Sequence, residues 1–360
     1  MRKCGGIGSH PRVVVIILNH NGLRWLPRCL SGLVKTSYPN YEIILVDNGS
    51  SDSSIEFVRR EYASVKVVAN SVNLGFAEAY NRVINQVEAE YVVLLNNDTE
   101  ILNPNWVTRL VEASEDAGIG AVACRIVCMG DHGILDSVGG AGIPYWRDGF
   151  FDVGRGELDV GQYGNGFEPF AYCGGAALIR KSAFVDSGML DSKFFAHFDD
   201  PDLSWRLRLR GWRVSYAPDA KVAHYRGGTL GGGEVTPLIL YYCNRNFLRA
   251  IIKNCSVSLP WALRNYALYT SLITLAFLVF EPMKSVMLVK GLVWNFRNLR
   301  DSWMARLIIQ SRRKVDEREI LRLMFPALTR TRSVEHSRLT RIMDVLFELS
   351  QRAKFQAMTS

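Results

Sequence analysis

The chain has 360 residues, is 48% hydrophobic and carries a formal net charge of +8, enough apolar content for one large domain and an appendage. The surplus sits at one end, where residues 297–360 hold 14 Lys/Arg against 7 Asp/Glu. No basic motif with interleaved stacking aromatics accompanies it, so nucleic acid is excluded as a partner and an anionic membrane surface fits better.

Residues 12–18 read as a first strand buried on both faces, an apolar and β-branched run. A helix over 23–36 follows, with Trp25, Leu26, Leu30 and Leu33 on one side. Strands are predicted at 41–46, 65–69 and 91–95, with helices at 53–62 and 77–87 between them. That alternation implies an α/β fold with a doubly wound, mostly parallel sheet. From about residue 120 the pattern weakens, and glycines between 139 and 166 mark a loop-rich stretch of the functional or mobile kind. Order returns at 171–180 and in a helix over 202–210. The glycines of 227–233 read equally as a lid or as a linker.

Past residue 234 the chain is helical and strongly apolar. Residues 265–280 form an uncharged run of 16, short of the roughly 20 that a spanning helix needs. A buried or interfacial helix pair is therefore expected. Residues 339–355 are amphipathic and read either as a helix docked on its own domain or as one lying on a membrane. The expected divisions are 1–234, 235–296 as an apolar helical region, and 297–360 as a basic amphipathic tail. Seven cysteines contain no CxxC pair, and residues 1–11 lack the apolar core of a secretory signal. Reduced thiols and a location at the cytoplasmic membrane face are expected.

Polar residues gather at the ends of these strands, where an open α/β sheet presents its ligand crevice. Asp47-Asn48-Gly49-Ser50 ends one strand; its carboxylate suits a base imide or ribose hydroxyl, although the segment alone also reads as a strand–turn–cap junction. Asn73 and Gly75 precede a helix start that favours an anion such as a diphosphate. Asn96-Asn97-Asp98 offers oxygen ligands for a hard divalent ion, or a polar turn before the next helix. Asp199-Asp200 is a repelling pair in which one carboxyl group is expected to titrate high.

Together these segments resemble the inverting family 2 glycosyltransferases of the GT-A fold, and within them the rhamnosyltransferase-like branch. The matching stretches are Asn19-His20-Asn21-Gly22, Asp47 to Asp52, Asn73 to Ala77, Asn96 to Thr99, Cys173 to Ala176, Phe198 to Arg206 and His224. They run in the family's order across about residues 12–250.

The resemblance implies a sugar, rhamnose among the candidates, moved from a nucleotide-sugar donor to a hydroxyl of a lipid-linked or polysaccharide acceptor. It puts Asn19, Asn21, Asp47, Asn48, Ser50, Asn73, Gly75, Asn96 and Asn97 around the donor. Asp98 and His224 would hold Mg²⁺ or Mn²⁺, with Asn at 96 departing from the family's literal DxD motif. Asp200 would be the general base and Asp199 its support, while Gly174, Gly175, Ala176, Asp199 and Arg206 would meet the acceptor. Tyr241-Tyr242 with Arg245-Asn246 resembles a family segment that opens the C-terminal helices, with acceptor or membrane contact as its expected role. A dinucleotide oxidoreductase is disfavoured, because Asn19-His20-Asn21-Gly22 stands where GxGxxG would follow the first strand. An inactive glycan- or nucleotide-binding scaffold of the same fold is the competing reading.

Overall fold

The computed structural model of the chain describes residues 10–142, 150–164, 166–226 and 235–324. Strands β1 (Val13–Asn19), β2 (Tyr41–Asn48), β3 (Lys66–Asn70) and β4 (Tyr91–Asn96) alternate with helices α1 (Leu26–Leu33), α2 (Ser54–Glu61) and α3 (Phe76–Gln86). They pair in parallel in the order β3-β2-β1-β4. Next come β5 (Thr99–Ile101), α4 (Trp106–Glu112), β6 (Ile119–Cys128), β7 (Asp131–Ser137), β8 (Gly140–Gly142) and β9 (Phe150–Asp152). After them run β10 (Ala176–Arg180), α5 (Lys181–Asp186), α6 (Asp199–Leu209) and β11 (Arg213–His224). The sheet continues past β4 through β10, β6 and β11 to β5. β10 lies antiparallel to both neighbours, and β11 runs parallel to β6.

Alternating side chains of each strand feed opposite faces of the sheet. Val14 and Ile16 of β1 join α3, α5 and α6 in one core cluster. Val13, Val15 and Ile17 join α1, α2 and α4 in the other.

From about residue 120, where the sequence alternation weakens, the chain forms the ten-residue strand β6 near the middle of the sheet. Its Gly120, Ala121, Ala123 and Cys124 lack the bulky β-branched side chains that mark a strand in sequence, yet Ala121 and Ala123 pack on one face and Val122 and Cys124 on the other. The helix expected from Asp202 begins instead at Asp199.

Beyond β11 the chain folds into α7 (Pro237–Asn254), α8 (Leu259–Phe280), α9 (Pro282–Arg297), α10 (Leu299–Ser311) and α11 (Glu317–Met324). The uncharged run at 265–280 lies inside the 22-residue α8, which is long and apolar enough by length and composition to cross a membrane. The helix outlasts the run because Pro260 suits its first turn and Arg264 turns its guanidinium to the amide oxygen of Asn265 at 3.2 Å. The expectation of burial holds for its first half only: Leu259, Ala262 and Tyr266 are buried, whereas Leu275, Leu278 and Phe280 are exposed. The amphipathic 339–355 segment and the glycines of 227–233 lie outside the described residues.

A third apolar cluster joins α6 to α7, α8 and α11 through Trp205, Leu209, Phe247, Ile251, Tyr266 and Ile320. Charges are buried beside it. Asp202 accepts two hydrogen bonds from Arg206, at 3.0 and 2.8 Å, and one each from Lys253 at 3.1 Å and Asn254 at 2.9 Å. Asp191 pairs with Lys253 and with Arg249. All are within the protein, with Lys253 only 2% exposed.

Burial alone would raise the carboxyl groups of Asp202 and Asp191. The cations outweigh it, so both titrate below the ordinary range. A carboxyl group held low in the folded state contributes stability that is present above its unfolded pKa of about 3.9 and is lost as pH falls through the folded value. Acid unfolding of the full chain is therefore expected to begin below about pH 4. Asp202→Ala strands buried cations and should cost about 3–5 kcal/mol, read by urea unfolding near neutral pH. A loss below about 1 kcal/mol would show that the network does not hold α6 to α7.

Candidate functional site

The parallel pairing of β1 with its neighbours brings polar strand ends into one row. Asn19 stands opposite Asp47, and Leu18 opposite Asn96. Because β10 is antiparallel to β4, its start arrives at the same edge, where the Asn96 amide N–H donates to the Gly175 carbonyl at 3.0 Å.

On the β1–β2 side the polar groups mostly satisfy one another. Asp47 accepts from Asn19 Nδ2 at 3.0 Å, from the Ser50 amide at 2.9 Å and from the Ser50 hydroxyl at 2.6 Å. Asn97 donates to Asn19 Oδ1 at 2.7 Å. Gly22 closes over that pair, and a Cβ there would lie 2.0 Å from Asn97 Nδ2, so the turn admits only glycine. Asn48 donates to Asn73 Oδ1 at 2.9 Å and to the Gly75 carbonyl at 3.1 Å.

Asn19, Asp47, Asn48 and Asn97 are thus buried and form a hydrogen-bonded floor rather than an open contact surface. Asn21 and Asn73 are exposed, and Ser50 and Asn96 half-exposed, at its rim. Gly75 caps α3 at φ 79°, and a side chain there would strike the Phe195 carbonyl at 2.6 Å. The floor is thereby pressed against the segment that leads into α6.

On the β4–β11 side, His224 stands between two carboxylates. Its Nε2 lies 3.2 Å from Asp98 and its Nδ1 3.0 Å from Asp136. Asp136 also receives Arg226 Nε at 2.6 Å, and Arg226 reaches Asp152 at 2.8 Å. Burial would lower the imidazole, but hydrogen bonds to Asp136 and Asp98 outweigh it and push His224 up to about 9. Sequence reading missed Asp136, Asp152 and Arg226. Asp136 lies in β7, brought in by pairing with β6, and Asp152 in β9, which pairs with β8; no local pattern marks either carboxylate.

Asp98 and His224 converge as the resemblance implies. Among the described residues no group of three His, Cys, Asp or Glu side chains could hold a metal ion. One carboxylate and one imidazole fit an ion that takes its remaining ligands from substrate phosphates and water, with His224 giving up its Nε2 proton when the ion binds.

The third component is the start of α6. His197 and Phe198 adopt φ of 63° and 69°, left-handed values that are uncommon for such residues, and deliver Asp199 and Asp200 to the first turn. Asn246 holds this bend by donating to the Ala196 and His197 carbonyls at 2.9 and 2.7 Å. Arg245 donates to the Lys193 carbonyl at 2.9 Å and lies against Tyr241, Tyr242 and Trp294. Arg245 and Asn246 of the Tyr-Tyr-x-x-Arg-Asn segment, for which acceptor or membrane contact was expected, brace the α6 entry.

Asp200 is half-buried and accepts the Gly174 amide at 2.8 Å. Burial raises it, the Gly174 N–H lowers it and the charge of Asp152 raises it, to a net value of about 6. Asp199 is buried deeper, and burial together with the charge of Asp200 pushes its carboxyl group well up. Both carboxyl groups are therefore harder to ionise than an ordinary carboxylate, Asp199 the more deeply buried of the two. Gly175 faces the His224 ring, with 3.3 Å between a would-be Cβ and Nδ1. Ala176 is fully buried in β10, away from any acceptor. Arg206 also departs from expectation: it is 4% exposed and donates to Asp202, Ser187 and Met189, which leaves it no face for a ligand. Tyr172 Oη and His197 Nε2 are buried without a hydrogen-bond partner.

Residues 14–186 match the model of the family described as glycosyl transferase family 2. The O-antigen biosynthesis protein RfbC of Myxococcus xanthus is 24% identical over 206 residues, which cover 55% of this chain but 16% of that protein. The N-acetylglucosaminyl-diphospho-decaprenol L-rhamnosyltransferase of Mycobacterium tuberculosis is 25% identical over 60% of this chain and 77% of that one. Among solved structures, a mannosyltransferase of Pyrobaculum calidifontis in complex with GDP-Man and Mn²⁺ superposes with a TM-score of 0.51 at 16% identity, covering 84% and 86% of the two chains. That likeness shows a shared GT-A fold.

The double ion pair of His224 has a direct readout. By NMR its ring should titrate near 9, and in Asp136→Asn the midpoint should drop toward the ordinary histidine value of about 6.5. An unchanged midpoint in that variant would mean that Asp136 does not set the charge of this imidazole.

Proposed function

This chain belongs to glycosyl transferase family 2 through residues 14–186, and we propose that it is an inverting, metal-assisted hexosyltransferase acting from a nucleotide-sugar donor. The observation that carries the reading is the position of Asp200: half-buried, fixed by the Gly174 N–H and tuned to about 6. A general base works best with a pKa near the operating pH. Asp200 takes the proton of an acceptor hydroxyl, and that oxygen attacks the anomeric carbon from the side opposite the nucleotide, which inverts the centre. Gly174 presents no side chain there, so acceptor and sugar can approach the backbone.

The donor base and ribose lie along the rim of the floor, against Asn21, Ser50, Asn73 and Asn96. Asp47, Asn19, Asn48 and Asn97 keep that rim in shape, and the α3 N-terminus behind Gly75 favours the negative diphosphate. Asp98 and His224 are the residues that would hold Mg²⁺ or Mn²⁺, whose charge would offset the negative charge that builds on the departing diphosphate. Asp136 and Arg226 fix the imidazole for that purpose.

The acceptor is a lipid-linked or polysaccharide glycan, and rhamnose is the leading donor sugar; both follow the name of the mycobacterial relative. Residues 1–234 form the transferase domain, 235–296 the apolar helical region and 297–360 a basic tail, with the protein held peripherally at the cytoplasmic face of the membrane.

Thermal unfolding with UDP, dTDP and GDP, each with and without Mn²⁺ or Mg²⁺, tests the donor site. A ligand that binds only the folded state raises the melting temperature. A metal-dependent rise with one nucleotide is expected, whereas no rise with any of them would favour the inactive scaffold. Asp200→Asn should abolish transfer while nucleotide affinity stays within about twofold, and an equal loss of affinity would remove Asp200 from the acceptor side. Because the base must be ionised, wild-type turnover should fall as pH drops through about 6 and level off above it. A flat profile between pH 5 and 8 would contradict the assignment.

A further inference from the structure

Helices α8, α9 and α10 expose large apolar side chains along one continuous length of chain. Leu278 and Phe280 on α8, Val289 and Phe296 on α9, and Trp303 and Leu307 on α10 are all exposed, Phe280 to 77% and Phe296 to 81%. Their opposite sides are occupied. Ser285, Leu288, Gly291 and Asn295 turn inward from α9, where Asn295 donates to the Arg245 carbonyl at 2.9 Å. A monomeric soluble protein rarely leaves a contiguous apolar patch beyond a few hundred Å². Elsewhere among the described residues the exposed apolar side chains are scattered.

The unpaired charge on these helices is positive. Lys290, Arg297 and Arg300 are exposed at the edge of the patch. The acids of 259–311 are Glu281 and Asp301, and each is already paired, Glu281 with Lys284 and Asp301 with Arg249 at 2.8 Å. An apolar face rimmed by cations and containing Trp and Phe has the chemistry of a helix lying in the headgroup region of an acidic bilayer.

We propose that the outer face of α8, α9 and α10 is a bilayer-contact surface for acidic phospholipid, with the α8–α9 turn at Phe280 entering the apolar layer. This deepens the membrane location proposed above and extends the contact from the start of the basic tail back through α9 and α8, over 259–311. It does not depend on turnover.

The test is flotation of the full-length protein with phosphatidylcholine vesicles, with and without about one-third phosphatidylglycerol. The wild type should float with the acidic vesicles. A variant carrying Phe280→Ser, Phe296→Ser and Trp303→Ser should bind at least about tenfold more weakly, with its melting temperature unchanged because all three side chains are exposed. A second variant, Lys290→Gln, Arg297→Gln and Arg300→Gln, should lose the preference for acidic vesicles. If the serine variant floats as well as the wild type, the surface is elsewhere and the membrane location survives. If the wild type does not float, both fall: a dimer that the serine substitutions dissociate makes a second copy the occupant, and a monomer leaves residues 325–360 of the same chain. The nucleotide-dependent thermal shift, measured on the same variants, keeps these outcomes separate from the transferase reading.

Discussion

The buried ion network around Asp202 is the constraint on which the site rests. Asp202 lies one residue beyond the Asp199-Asp200-Pro201 turn, and its carboxylate is held by Arg206 from its own helix and by Lys253 and Asn254 from α7. A strained entry with two consecutive left-handed residues persists only where its surroundings over-determine it. Here α7 does so twice, through this network and through Asn246 on the Ala196 and His197 carbonyls. A buried ion pair is weak evidence for net stability. Its role here is specificity of position: it fixes which way α6 points, and so where the Asp200 carboxyl group sits against Gly174.

Two groups of carboxylates flank the crevice, and their charge balance differs. Asp98 and Asp136 share His224, and Asp136 also has Arg226, so negative charge there is compensated by nearby cations. Asp199 and Asp200 have no comparable partner among the described residues, and burial raises both, Asp200 to about 6. The first arrangement stabilises charge and suits a place where anionic phosphate and a cation meet. The second resists charge and suits a place where a proton is taken up. One fold thus sets two chemical tasks side by side through differences in pairing.

Much of the architecture was legible in the sequence. The β1–β4 alternation stands out because buried parallel strands read as unbroken apolar runs, and the register that aligns Asn19 with Asp47 follows from it. The strand-end polar residues were legible as candidates for the same reason. The division of labour among them was not: whether Asn19 or Asn97 faces a ligand or another amide depends on contacts between residues 78 positions apart. Arg206 was given to the acceptor by resemblance alone; its i,i+4 pairing with Asp202 can be read locally, whereas the Ser187 and Met189 carbonyls that occupy its Nη1 cannot. Asp136 was invisible because its strand, β7, has no alternating apolar pattern of its own and is placed by pairing with β6.

The Lys253–Asp202 contact closes a loop of 51 residues, and that separation bears on synthesis. During translation the sheet can pair as β1 to β11 emerge, but the α6 entry has no brace until residues 246–254 have left the ribosome. Forming such distant contacts demands loop closure before any reward, which makes them late and slow. A nascent chain ending near residue 234 would therefore carry a finished hydrogen-bonded floor and an unseated Asp199–Asp200 pair. The acidic pair acquires its geometry only when α7, the helix leading into the apolar region, has docked.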